Sequence, residues 1–253
     1  MKEWRLVRDG KADAFRNMGT DEAILDAVGA GKAPPTFRLY TWRPSAVSIG
    51  RFQAFDEVVD ASACRELGID IVRRISGGGS VFHDEKGEVT YSMVVREEDI
   101  PAHDVIDSFK YLLGTVVVTL KALGLRAEFA PINDVVVRGK KISGSAQVRR
   151  NGTVLQHGTV LMNMEKEVAF KVLRVPRLKV EERGLPGPAE RVTTLAAEGV
   201  HIDASSLYQE LVVGFSAATG AELRNGRISE EELEAAKAYA RRRYADPAWL
   251  ESR

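Results

Sequence analysis

Asn151-Gly152 sits between two runs of strand-forming character, Lys141 to Arg150 and Thr153 to Met162. Asn-Gly is the strongest short signal for a two-residue type I′ hairpin turn, because both central residues must take positive φ. The turn fixes a register. Opposite positions sum to 303, so Ala146 faces His157, Ile142 faces Leu161 and Lys141 faces Met162. Side chains alternate along a strand, so Ile142, Gly144, Ala146, Val148, Leu155, His157 and Leu161 share one face, and Lys141, Ser143, Ser145 and Gln147 share the other. The first face reads as core, with His157 a hydrogen-bonded core histidine. The second is small and polar with a lysine at its end. It reads as the floor of a ligand pocket or as a solvated face, and Arg149 shows that part of it is wet.

Some sixty residues upstream lies a basic, glycine-packed stretch, Arg73-Arg74-Ile75-Ser76-Gly77-Gly78-Gly79-Ser80-Val81-Phe82-His83-Asp84. Three successive glycines let the backbone take positive φ and approach a ligand, while exposed N–H groups and two guanidinium forks offer donors to phosphate or carboxylate. A plain glycine hairpin is the alternative. Asn133-Asp134 through Lys140-Lys141-Ile142-Ser143-Gly144 supplies a second glycine-and-lysine segment, which favours two loops converging on one anionic ligand. His83 reads as a ligand donor or a turn residue. Arg51-Phe52-Gln53, directly after Gly50, lines a pocket or ends a strand.

The remaining chain reads as an alternation of helices and strands. Helical spacing predicts a helix over 12–28 with Asp21 on its apolar stripe, a costly place for a carboxylate unless it is hydrogen-bonded to nearby backbone or a loop. Strands follow at Trp4 to Val7, Thr36 to Trp42 and Ala46 to Ile49. A helix over 55–67 carries Cys64 as packing, and Ile69 to Val72 is a strand. Val81-Phe82-His83 and Glu88 to Val95 are expected to form a hairpin turning at Asp84 to Gly87. Asp104 to Leu123 is a strongly amphipathic helix, Arg126 to Phe129 a strand, and Ser205 to Phe215 a helix. Ser229-Glu230-Glu231-Glu232 is a capping sequence for a last helix to about Arg243, and Arg241-Arg242-Arg243 suits the dipole at its end. The segment from Pro176 to Pro188, rich in proline and glycine, is read as a mobile lid or a segment that orders on binding.

Composition limits the function classes. Thirty-six basic and thirty-six acidic residues cancel, so no global field argues for nucleic acid or an anionic membrane. A single cysteine, Cys64, makes neither an internal disulfide nor a multi-cysteine metal site. With no signal-peptide pattern and no run of membrane-spanning length, the expectation is a soluble, cytoplasmic protein.

These motifs, in order and along nearly the whole chain, resemble the lipoate–protein ligase A group of the biotin/lipoate ligase and octanoyltransferase superfamily. Asn17-Met18 with Asp21 to Leu25, Ser48 to Gln53, Arg73 to Asp84, Asn133-Asp134, Lys140 to Ala146, His157-Gly158-Thr159 and Tyr244 to Trp249 carry the likeness. It implies a mixed α/β (α+β) fold, one catalytic domain over 1–253 with a central, mostly antiparallel sheet flanked by helices. It also implies a two-step reaction, in which lipoate and ATP give lipoyl-AMP and a lysine of a lipoyl domain then takes the lipoyl group. The acceptors so implied are the lipoyl domains of 2-oxoacid dehydrogenase E2 subunits or the glycine-cleavage H protein. Lys141 matches the catalytic lysine. Arg51, Arg74, Ser76, Gly77, Gly78, Gly79, Val81, Phe82, His83, Asn133, Asp134, Ser143, Gly144, Ala146 and His157 match the binding positions, and Asp134 is the candidate ligand for the Mg²⁺ that accompanies ATP. The C-terminal accessory domain of single-chain relatives has no counterpart here, so a separate small accessory subunit is an expected partner. Two alternatives stand beside the ligase: an octanoyltransferase that moves octanoyl from acyl carrier protein through a cysteine thioester, and a non-catalytic lipoate or adenylate binder. Cys64, far upstream of Lys141 on a predicted helix, counts against the thioester route.

Overall fold

The computed structural model of the protein describes residues 3–174 and 190–252. The Pro176–Pro188 segment read as a lid therefore lies outside the described residues. The Asn151-Gly152 turn forms as expected, with φ of 51° and 68° at the two central residues. It joins β9 (Lys140–Arg150) to β10 (Thr153–Leu161). Their ladder keeps the sum-to-303 register from Arg150↔Thr153 through Ala146↔His157 to Ser143↔Val160.

That hairpin lies inside an eight-stranded sheet. Its other members are β1 (Glu3–Ala12), β2 (Thr36–Trp42), β6 (Glu88–Arg96), β7 (Ala127–Ala130), β8 (Asp134–Val137) and β11 (Glu222–Asn225). The order is β11-β1-β2-β6-β10-β9-β8-β7. All neighbours are antiparallel except β1, which runs parallel to both β11 and β2. The mixed fold with a mostly antiparallel sheet is thus as anticipated. A second sheet of three short strands, in the order β4-β3-β5, comprises β3 (Ala46–Ile49), β4 (Asp70–Arg73) and β5 (Val81–His83).

Strand periodicity sorts the large sheet into two chemistries. Phe37, Leu39, Tyr91, Met93, Val154 and Val160 point to one face and bury Leu112, Val116 and Leu120 of α4 (Val105–Ala122) with Leu211 and Phe215 of α6 (Ala204–Thr219). The alternate residues Arg38, Tyr40, Trp42, Glu88, Thr90, Ser92 and His157 point to the other face, mostly polar yet buried. α1 (Ala14–Gly29) covers part of that face with Ile24, Leu25 and Val28, and the small sheet faces the rest.

Three sequence expectations change. The helix over 55–67 is two helices, α2 (Phe55–Val58) and α3 (Ala61–Leu67), because Asp60 turns its side chain to cap the second, accepting the Ala63 N–H. β5 and β6 are not a hairpin: β5 pairs with β3, β6 with β2 and β10, so the chain changes sheets at Asp84 to Gly87. The faces of β9 are also reassigned. Ile142 is an extra residue opposite β8, where Val135 pairs with Ser143 and Val136 with Lys141. This bulge inverts the alternation, so Lys141 lies on the side of Gly144 rather than beside Ser143.

The C-terminal helices close over α1. Ser229 opens α7 (Glu230–Tyr239) with the expected capping box, and buried Glu22 of α1 receives Arg150, Arg243 and Tyr244. α8 (Pro247–Glu251) follows. Among the described residues no helix is long and apolar enough to cross a membrane.

Candidate active site

Between the polar face of the large sheet and the small sheet is a cavity of about 300 Å³, at the low end for small-molecule sites. The two sequence segments do converge on it. Gly78, Gly79, Val81, Phe82 and His83 come from the glycine stretch, Asn133 from the turn before β8, and Lys141, Gly144 and Ala146 from β9. Met18, Trp42, Leu161, Met164 and Phe170 of α5 (Lys166–Val172) add apolar surface suited to an aliphatic chain. Arg74 and His157 line it too. Its floor is the β9–β10 face carrying Gly144, Ala146 and His157, which alternation alone had assigned to core. Ser143 lies on the opposite face, fully buried with its hydroxyl 3.4 Å from Tyr91 Oη. Arg51, Ser76, Gly77, Asp134 and Ser143 are not among the lining residues.

Lys141, half-buried, is the one lysine among the described residues that line the cavity. Its ammonium lies 2.7 Å from Asp134 Oδ1 as a charge pair rather than an aligned hydrogen bond, and it passes directly over the Cα of Gly144. A Cβ at Gly144 would occupy the space of Lys141 Cε and Nζ. Gly144→Ala is therefore expected to displace the ammonium, lowering kcat about 100-fold with an unchanged melting temperature, since only a flexible side-chain end has to move. Steady-state kinetics with a thermal melt checks this.

The two arginines behave unlike the free guanidinium forks read from sequence. Arg73 turns away from the cavity and donates to the carbonyls of Gly50, Arg51, Gln53, Trp249 and Leu250, tying α8 to β4. Arg74 is buried and uses its N–H groups on Ser76 Oγ, Ser48 O and Oγ, and the carbonyls of Gly77 and Gly79. Burial pulls its pKa down to about 10, so it stays cationic at neutral pH. Arg51 lies over the Trp249 ring, 4.4 Å from its centroid, outside the cavity. In the glycine run only Gly78 has positive φ, at 93°. A side chain on Gly50 would strike the Gly78 carbonyl, so the two loops meet backbone to backbone.

His83 and His157 are both buried. His157 Nδ1 is 3.1 Å from Asp21 Oδ2 and its Nε2 is 2.6 Å from Ser76 Oγ. His83 Nδ1 is 2.7 Å from Glu88 Oε1, its Nε2 is 2.8 Å from Ser48 Oγ, and its ring stacks on Trp42 at 3.9 Å. Ser48, Glu88 and Asp21 were not among the sequence-derived site residues. Asp21 was legible as a carboxylate on an apolar stripe, but its partners are side chains of β2, β6 and β10 rather than nearby backbone.

Beside the cavity, Asp134 is the carboxylate on which the Mg²⁺ expectation rests. Asp134 is engaged by Lys141, and among the described residues no three His, Cys, Asp or Glu side chains gather as a metal site. No step is derived through a bound metal.

Cys64 does not line the cavity. It packs with Val47, Ile49, Val59 and Val172 in the core under the small sheet, while Ser48, between Val47 and Ile49, lines the cavity. Burial pushes its thiol up to about 11. We expect native protein to resist alkylation by iodoacetamide at pH 7.5, reacting only on unfolding. Fast labelling of the folded chain, followed by mass, would contradict this placement.

Comparisons with known proteins place these features in context. Residues 13–216 match the family described as the lipoyl protein ligase A/B catalytic domain. Among curated proteins, octanoyltransferase LipM of Kyrpidia tusciae is 37% identical over 97% of this chain and 98% of its own length. Octanoyltransferase LipM of Symbiobacterium thermophilum is 34% identical, covering 97% of each. Among solved structures, a bipartite lipoate protein ligase from Thermoplasma acidophilum, studied with its E2 lipoyl domain, superposes with a TM-score of 0.87 at 29% identity, covering 99% of this chain and 97% of that one. A lipoate-protein ligase A bound with ATP gives 0.85 at 28% identity, covering 98% of each chain.

Proposed function

This chain belongs to the lipoyl protein ligase A/B catalytic-domain family, and on that premise we propose that it moves a medium-chain acyl group, octanoyl or lipoyl, from an activated donor directly onto the ε-amine of a lysine on a lipoyl domain. The observation that carries the reading is the cavity itself. Among the described residues it combines an apolar bed for the chain with a single lysine ammonium, Lys141, and leaves the one cysteine outside. In the transfer step the acceptor nitrogen attacks the acyl carbonyl and the C–N bond forms. The bond to the donor's leaving atom breaks, and the proton given up by the amine ends on that leaving group, which departs as the thiol of the carrier or as AMP. Lys141 opposite the carbonyl oxygen would stabilise the negative charge that develops there.

The named curated relatives favour octanoyl over lipoate as the acyl group, and a carrier thioester over ATP activation as its source. The octanoyltransferase reading is therefore preferred here to the ligase put first from sequence. The route through a cysteine thioester is not adopted, because Cys64 is buried in the core under the small sheet and is not among the cavity-lining residues. A second reading, activation of lipoate by ATP, rests on that same misplaced cysteine and on the likeness to a ligase that binds ATP.

The two sources separate in one assay. Apo lipoyl domain is incubated with the purified chain and either octanoyl-acyl carrier protein without ATP, or lipoate, ATP and Mg²⁺ with and without a candidate accessory subunit. The acceptor's mass gives the outcome. Octanoylation in the first mixture is the expected result. Lipoylation in the second alone selects the ATP-dependent reading, and no modification in any mixture overturns the proposal.

A further inference from the structure

Arg74 carries a buried charge with no carboxylate against it among the described residues. Its five N–H bonds end on two serine hydroxyls and three carbonyls. A guanidinium only donates, so at both Ser48 and Ser76 the hydroxyl oxygen accepts from Arg74 and the hydroxyl proton is left to give away. The neighbour placed to take it is an imidazole Nε2, of His83 at 2.8 Å and of His157 at 2.6 Å. Each ring then carries its proton on Nδ1 and donates it to a carboxylate, Glu88 at 2.7 Å and Asp21 at 3.1 Å. The tautomers follow from this network. Two relays thus run from one buried cation to two buried anions in the same sense, each bond polarising the next.

Resting on the acyl-transfer reading above, we propose that Arg74 is a strut rather than a ligand contact. In this account Ser48–His83–Glu88 and Ser76–His157–Asp21 are positioning residues that hold it against the glycine loop. The loop shows what the strut does. Arg74 Nη2 holds the Gly77 and Gly79 carbonyls at 2.7 Å each. Across a trans peptide the C=O and the following N–H point in opposite directions. Pulling those two carbonyls onto Arg74 therefore turns the N–H groups of Gly78 and Ser80 away from it, and both residues line the cavity. Among the described residues neither N–H is taken by another backbone group. Gly78 can support this geometry because its φ is 93°. The oxygen of the acyl carbonyl, or those of a free carboxylate, are met by two backbone donors whose direction Arg74 sets.

The test uses sodium octanoate as probe, since its binding needs no turnover. Ser48→Ala and Ser76→Ala are each expected to weaken octanoate binding by calorimetry about tenfold, the size of a hydrogen bond to a charged group. The double variant should lose less than the product, because both act on one guanidinium. In acyl transfer these variants should raise KM for the donor and change kcat less than about threefold. A merely structural role would lower active fraction and leave KM alone. In ¹⁵N-labelled wild type the Gly78 and Ser80 amides should shift on octanoate addition, and should not in the variants. Should the alanine variants not fold, the wild-type amide response decides alone. Unresponsive amides in octanoate-bound wild type, or normal octanoate affinity in the folded double variant, overturns the strut and leaves the transfer reading standing. Absence of octanoate binding by wild type removes the pocket assignment, and the strut with it.

Discussion

Replacing Lys141 with alanine is expected to lower kcat/KM for acyl transfer by about 10²–10³-fold, the usual size of losing one preorganised donor at a developing oxyanion, while leaving the fold intact. The side chain is 40% exposed and its recorded charge contact is with Asp134, itself 31% exposed. A pair that open to water is worth about 1 kcal/mol or less. The backbone bonds that fix the strand here, Lys141 N–H to Arg191 O and Thr193 N–H to Lys141 O, do not depend on the side chain. The loss should therefore fall on kcat, with melting temperature unchanged. Equal losses in kcat and in stability would mean that Lys141 is a structural residue.

Asp21→Ala is expected to have the largest effect on stability, about 3–5 kcal/mol, the range for breaking a buried charge pair by removing one partner. Arg38 is fully buried and gives Asp21 Oδ1 a 2.7 Å bond. Tyr40 and Ser92 also donate to this carboxylate, at 2.9 and 2.8 Å, and His157 reaches it at 3.1 Å. Removing it strands four polar groups at once, and Asp9 at 2.6 Å covers only part of the Arg38 charge. For a chain of this length the melting temperature should fall by roughly ten degrees. The same carboxylate predicts acid sensitivity. Burial pushes its pKa up, but Arg38 and the bonds from His157 and Ser92 outweigh it, so the folded value lies below the ordinary 3.8. A group whose pKa is lowered by folding stabilises above its unfolded value and loses that contribution as pH falls through the folded one. Wild type should thus lose stability below about pH 4, and Asp21→Ala should show a flatter profile there. Chemical denaturation between pH 3 and 7 measures both.

What could be read from the sequence was local. The Asn151-Gly152 turn fixed a register over eight consecutive residue pairs because turn type and period are properties of neighbouring residues. The meeting of the glycine loop with the Lys141 segment was also legible, since both carry chemistry that makes sense only on a shared ligand. The failures were non-local. Alternation placed Lys141 with Ser143, and one bulge at Ile142, set by the pairing with β8, inverted that. The apparent β5–β6 hairpin had a plausible turn, but β3 competes for β5 and brings Ser48 to His83. Arg73 and Arg74 are identical in sequence and opposite in role, because one faces α8 and the other the glycine loop. No pattern within the chain announces that difference.

The central claim is acyl transfer to lysine without an acyl-thioester on this chain, and the Cys64→Ala variant tests it most directly. Apo lipoyl domain is incubated with wild type or variant in the octanoyl-acyl carrier protein mixture and in the lipoate, ATP and Mg²⁺ mixture, and its intact mass is followed over time. The account predicts that the variant acylates the acceptor at the wild-type rate in whichever mixture wild type uses. Acylation by wild type with none by a folded Cys64→Ala protein would contradict it.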